Sequence, residues 1–319
     1  MPVNLDKPLR WKNDIQESID LYNNWFMTFA PQTYRETRVR TTEAVERAFK
    51  LTDDLKHVTP DVLLKNPQIL PILRMTTAPP IARDRLVGLA GVRKNLVDNM
   101  ENAFNQRLSR NMDTSELRRQ LEQIGRVIER LADRDLFPWL AEARVPTDPE
   151  RFRASSIVAD RLCGAQSDPI IRNAQEAEML RKLKEWFENR NYREADPRPL
   201  LDNMTPGTFA FRLNAEGKLD DGSIRRIPID IVVLSHSASP GSLPLMIEAK
   251  SAGDFTNVNK RRKEEANKVA NLRRRYGSQV RFVLFLRGYF DSGYLGYAAS
   301  EGIDWFWEHR MDDLAQLGV

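Results

Sequence analysis

Asp230, Glu248 and Lys250 lie in two apolar runs, "RIPIDIVVL" and "LPLMIEAKS", with 17 residues between the two acids. A charged group inside an apolar sheet costs several kcal/mol unless it is paired or bound to a metal, so three together need a chemical reason. Side chains alternate along a strand, which sets Glu248 and Lys250 on one face and Ile247 and Ala249 on the other. In the preceding run the same rule predicts Ile229, Ile231 and Val233 on one face and Asp230 opposite them. Neighbouring strands lie about 5 Å apart, so a suitable register lets Asp230 and Glu248 converge on one cation. Two carboxylates with a backbone carbonyl and waters suit Mg²⁺. An ammonium beside them can orient or deprotonate an attacking water. An acid-x-Lys triplet alone says little, because Asp54-Leu55-Lys56 and Glu216-Gly217-Lys218 are triplets too. Only Glu248-Ala249-Lys250 ends an apolar strand that follows another acid-bearing strand.

Two flanking segments bear on the same chemistry. In "NAQEAEMLRKLKEWFENR", Met179, Leu180, Leu183 and Phe187 recur at helical spacing, Glu176 falls within their stripe, and Glu178 and Glu185 fall outside it. Glu176 is thus either a third acid of the site or a favourable charge in a first helical turn. After Lys250 comes "SAGDFTNVNKRRKEEANKVANLRRRYG", whose helix would bury Val258, Val269, Leu272 and Tyr276. Its start offers Thr256, Asn257, Asn259, Lys260, Arg261 and Lys263, the amide, hydroxyl and cationic groups that contact phosphates and base edges. From Ser251 to Phe290 there are ten Lys or Arg against three acids, while the whole chain carries only +4. A basic stripe beside a candidate site points to a polyanion, here DNA.

The elements that must position these groups follow from the pattern. Residues 1–155 read as helical, with Leu117, Leu121, Ile124, Val127, Ile128 and Leu131 stepping by three and four, and "RVPTDPERF" interrupts the pattern at Arg144 to Phe152. Residues 156–319 run helix, three strands, helix, strand, with "NAEGKLDDGS" as a polar hairpin loop and a mixed tail. A crossover helix allows the last two strands to lie parallel. The fold class expected is α/β (α+β): a mixed central sheet flanked by helices, preceded by a mostly helical N-terminal domain.

Composition narrows the chemistry. One cysteine, Cys163, excludes an internal disulfide framework or a multi-thiolate zinc site, and His57, His236 and His309 show no ligand spacing. The first residues contain no apolar signal region, and no run reaches the roughly 18 apolar residues of a membrane span. A soluble, cytoplasmic, DNA-associated protein of a prokaryotic cell is the expectation.

Pro228-Ile229-Asp230, the 17-residue spacer and Glu248-Ala249-Lys250 resemble the PD-(D/E)xK nuclease superfamily. "ADRLCGAQSDPIIRNAQEAEMLRKL", "EAKSAGDFTNVNKRRKEEANK" and "YLGYAASEGIDWFWEHRMDDL" further resemble the XamI-type family of type II restriction endonucleases. The resemblance implies a restriction-endonuclease-like core and Mg²⁺-dependent cleavage of both strands of a short palindromic DNA site, leaving 5′-phosphate and 3′-hydroxyl ends. It implies that Asp230, Glu248 and the Ala249 carbonyl hold the metal, that Lys250 positions the water and lowers its pKa, and that Glu176 matches the helix acid of some members. Ile229 stands where the motif's name has proline, with Pro228 one place earlier. A symmetric cut implies a homodimer, with the helical first half a candidate for dimer or DNA contacts. The alternatives are a repair or junction-resolving nuclease of the same fold and a DNA-binding protein that does not cut.

Overall fold

The computed structural model describes residues 2–102, 107–108, 112–195, 201–239 and 241–319; inside one helix, the side chains of residues 257 and 259–262 also lie outside the description. The apolar alternation of the second half becomes one sheet of six strands, β1 (Arg193–Glu194), β2 (Thr208–Lys218), β3 (Ile224–Leu234), β4 (Leu245–Ala252), β5 (Arg281–Gly288) and β6 (Asp304–Trp307), ordered as in the chain. β2, β3 and β4 pair antiparallel, while β1–β2, β4–β5 and β5–β6 pair parallel, so the expected mixed sheet is what forms. The hairpin loop is shorter than "NAEGKLDDGS", because β2 keeps its ladder to Lys218 opposite Ile224.

Eleven helices surround this sheet or precede it among the described residues: α1 (Pro8–Leu51), α2 (Pro60–Lys65), α3 (Leu70–Met75), α4 (Arg83–Ala90), α5 (Lys94–Met100), α6 (Thr114–Leu131), α7 (Trp139–Glu142), α8 (Asp148–Glu188), α9 (Phe255–Tyr276), α10 (Ser292–Ser300) and α11 (Asp313–Gln316). None is long and apolar enough to cross a membrane. β5 shows why the sheet is covered twice. Phe282, Leu284 and Leu286 pack with Val258, Val269 and Leu272 of α9 and Leu295 of α10, while Val283 and Phe285 pack with Met179, Leu183 and Phe187 of α8. A strand apolar on both faces needs a layer on each.

The chain divides into two compact units, Met1–Phe29 with Arg172–Val319, and Ala30–Ile171. The break in pattern at Arg144 to Phe152 is therefore local, for α8 starts at Asp148 and continues through Pro169. The first 29 residues belong with the sheet rather than with the helices that follow them. Asn4 and Leu5 donate their backbone N–H groups to the Asp304 carboxylate at 2.9 and 3.0 Å, Val3 donates to its other oxygen, and Asn4 Nδ2 donates to the Trp305 carbonyl at 2.8 Å. The other unit is helical, built on a core that includes Phe49, Leu70, Leu121, Ile124, Phe137 and Trp139.

Candidate active site

β3 and β4 hydrogen-bond through Val233↔Leu245, Val232↔Met246 and Ile231↔Ile247, and there the ladder ends. One residue further on, the Asp230 carboxylate accepts the Ala249 N–H at 2.9 Å, replacing the strand partner that this amide lacks. The N–H and C=O of one strand residue point to the same side, so the Ala249 carbonyl faces the same gap. Glu248, 6% exposed, lies beside it.

The alternation expected along β3 is interrupted here. Ile229 packs in the α9-side cluster, whereas Ile231 and Val233 pack in the α8-side cluster. β2 slips in the same way opposite, since Phe209 and Phe211 share the α8 side while Leu213 and Ala215 share the α9 side. Arg212, the residue facing Asp230 in this register, takes the left-handed conformation with φ 52°. That conformation costs a non-glycine residue about 1 kcal/mol or more and is found at functional sites. Asp230 thereby falls in phase with Val232 and Glu248 with Met246, both of the α9-side cluster, so the two carboxylates share the face that α9 covers.

α9 answers with charges. Lys268 donates to both Glu248 oxygens at 2.8 Å and to the Pro228 carbonyl at 3.0 Å. Lys250 stands 3.2 Å from Glu248 and 2.9 Å from Glu265, a carboxylate 3% exposed. Burial alone would lower the Lys250 pKa, but Glu248 and Glu265 outweigh it, and the net shift is upward. Lys250 is an ammonium at neutral pH, which favours the orienting role over that of a base. Asp230 is pushed up to about 6 by burial first and the Glu248 charge second. Three carboxylates face two ammonium groups here, and a divalent cation would reverse that imbalance. Among the described residues no His, Cys, Asp or Glu cluster of three or more could hold a metal, so the oxygen donors on offer are two carboxylates and a carbonyl. Such a set fits an ion that keeps several waters, as Mg²⁺ does. Glu248 can take part once Lys268 shares or releases its oxygens.

The XamI restriction endonuclease family matches residues 53–307, which includes this cluster. The chain belongs to the XamI restriction endonuclease family. It is 48% identical over 319 residues to "Type II restriction enzyme SalI" of Streptomyces albus G, covering 99% of this chain and 100% of that protein. No solved structure matches the chain significantly. The expectation of a type II restriction endonuclease, a site-specific deoxyribonuclease, is met, and type II restriction endonucleases generally use Mg²⁺.

Other residues singled out from the sequence of this restriction endonuclease fare differently. Glu176 is exposed and pairs with Arg212 at 3.0 Å. It lies deep inside the 41-residue α8, so it is not a first-turn charge either. The inward acid of that segment is Glu178, which meets the buried Arg287 at 3.1 Å. The first-turn reading fails because α8 begins 25 residues before Asn173, and Glu178, not Glu176, is the less exposed of the two acids. Thr256 and Lys263 are exposed in the first turns of α9. The side chains of Asn257, Asn259, Lys260 and Arg261 lie outside the described residues. The far end of the basic stripe is engaged internally: Arg275 with Glu216 at 2.9 Å, Arg274 with Asp220, and Arg287 with Glu178 and Glu308. Glu265 and Lys268 were passed over as site residues, although Val258, Glu265, Val269, Leu272 and Tyr276 step by seven, four, three and four along one face.

Proposed function

We propose that this site cuts both strands of a short palindromic DNA with Mg²⁺, in the manner of PD-(D/E)xK nucleases, leaving 5′-phosphate and 3′-hydroxyl ends. The observation that carries the reading is the insertion of the Asp230 carboxylate at the end of the β3–β4 ladder, on the Ala249 N–H and beside Glu248. Asp230, Glu248 and the Ala249 carbonyl would hold the ion, which when bound supplies charge for the phosphoryl oxygens and acidifies water. Lys250, held as an ammonium between two carboxylates, orients the attacking water and offsets negative charge developing on it. The water oxygen bonds to phosphorus, the bond from phosphorus to the 3′ oxygen breaks, and that oxygen leaves with a proton. Thr256, Asn257, Asn259, Lys260, Arg261 and Lys263, on the opening turns of α9 six to thirteen residues past Lys250, supply DNA contacts.

A cleavage assay on long, sequence-diverse DNA, with Mg²⁺ or with EDTA, tests this against Asp230→Ala and Lys250→Ala. Discrete metal-dependent fragments are expected from the natural chain and none from either variant, with Lys250→Ala still binding the cognate site. Discrete fragments from Asp230→Ala would remove the site assignment. Cleavage that persists in EDTA would remove the metal.

A further inference from the structure

We propose that Glu265 is a positioning residue of the cleavage site, acting through Lys250; the inference rests on the reading of the site given above. Glu265 lies in the middle of α9 on its apolar face, between Val258 and Val269, and is 3% exposed. One oxygen contacts Lys250 at 2.9 Å, and the other, Oε2, has no hydrogen-bond partner among the described residues. A buried carboxylate satisfied on one oxygen costs more than an apolar side chain would at the same point of the stripe. What it provides instead is a fixed anion for one ammonium.

The need for that anion follows from what else holds Lys250. Its other contact is Glu248 at 3.2 Å, and Glu248 is also held on both oxygens by Lys268. Glu248 is in addition a metal ligand in the proposed site. A divalent cation held by Glu248 would repel the Lys250 ammonium and weaken its attraction to that carboxylate. Glu265 is the contact of Lys250 that lies outside the proposed ligand set. It therefore holds the ammonium in place when cation and phosphate arrive, the moment at which a misplaced group costs most. β4 and α9 are joined by only two residues, Gly253 and Asp254, which keeps the helix carrying Glu265 close to the strand carrying Lys250.

Glu265→Gln keeps the shape and removes the charge. The test compares it with the natural chain and with Glu264→Gln, an exposed neighbour, in single-turnover cleavage with Mg²⁺ and in binding to cognate DNA with Ca²⁺. A cleavage rate lower by roughly 10- to 100-fold, as for loss of groups that orient a site from behind, is expected with DNA affinity within about threefold. Glu264→Gln should match the natural chain in both. Rates are taken below each variant's melting temperature, and Glu265→Asp, which keeps the charge one methylene back, should fall between. An unchanged rate in Glu265→Gln, or equal loss of rate and binding, overturns the inference. If the natural chain itself fails to cleave with Mg²⁺, the site reading fails instead, and the two results cannot be confused.

Discussion

At the scale of single residues, the site is a charge imbalance held by geometry. Lys250 and Lys268 neutralise most of Glu248 and Glu265, and Asp230 is left as the carboxyl that keeps its proton to about pH 6. An unfolded aspartate titrates near 3.9, so between these values the native chain holds a proton that the unfolded chain has released. The stability that this group contributes is full below about pH 4 and is lost as pH rises through 6. Asp230→Asn should therefore melt higher than the natural chain at pH 7.5, and the difference should shrink toward pH 4. On the proposed reading Mg²⁺ would reverse the order of events, since it favours the ionised carboxyl. It should raise the melting temperature of the natural chain at pH 7.5 and leave Asp230→Asn nearly unmoved. Thermal melts at the two pH values, with and without Mg²⁺, read all four quantities. Equal Mg²⁺ stabilisation of both proteins would show that the ion binds elsewhere.

At the scale of elements, what the sequence made legible was whatever repeats within a few residues. β2 to β5, the crossover helix and the parallel pairing of β4 with β5 all follow from alternation and from a gap long enough for α9. The slip at Arg212 and Asp230 was not legible, because a left-handed arginine is stable only where the surrounding sheet holds it. Glu265 and Lys268 were legible and unread: the stripe from Val258 to Tyr276 contains the first, and the second sits one turn further on. The fastening of the N-terminal segment to β6 could not be read, since it joins residues about 300 positions apart, mainly through the Asp304 carboxylate. Asp304, 8% exposed, accepts the N–H groups of Val3, Asn4, Leu5 and Trp305. A buried donor without its acceptor costs about 1–3 kcal/mol. Asp304→Ala strips several at once and should lose about 3 kcal/mol or more of unfolding free energy in urea. A loss under about 0.5 kcal/mol, the range of ordinary surface changes, would show that water replaces the carboxylate and that the segment is not fastened there.

At the scale of the whole molecule, the number of cutting centres decides the assembly. On the proposed reading each chain carries one cutting centre, at Asp230, Glu248 and Lys250, and a palindrome presents two equivalent phosphodiesters on opposite strands. One centre per chain makes two copies related by a two-fold axis the simplest arrangement that cuts both strands alike. The mass of the active species should accordingly be twice the 36.9 kDa of the chain, as read by light scattering on cognate DNA. A mixed dimer separates this from a single chain acting twice. Natural and Asp230→Ala chains carrying different affinity tags can be co-expressed and the doubly tagged species isolated. That species retains one working centre, so on a supercoiled plasmid with one site it should accumulate nicked circles, while the natural dimer gives linear DNA. Linear product from the mixed dimer at the natural rate would mean that one centre serves both strands, and the two-fold arrangement would then have no catalytic purpose.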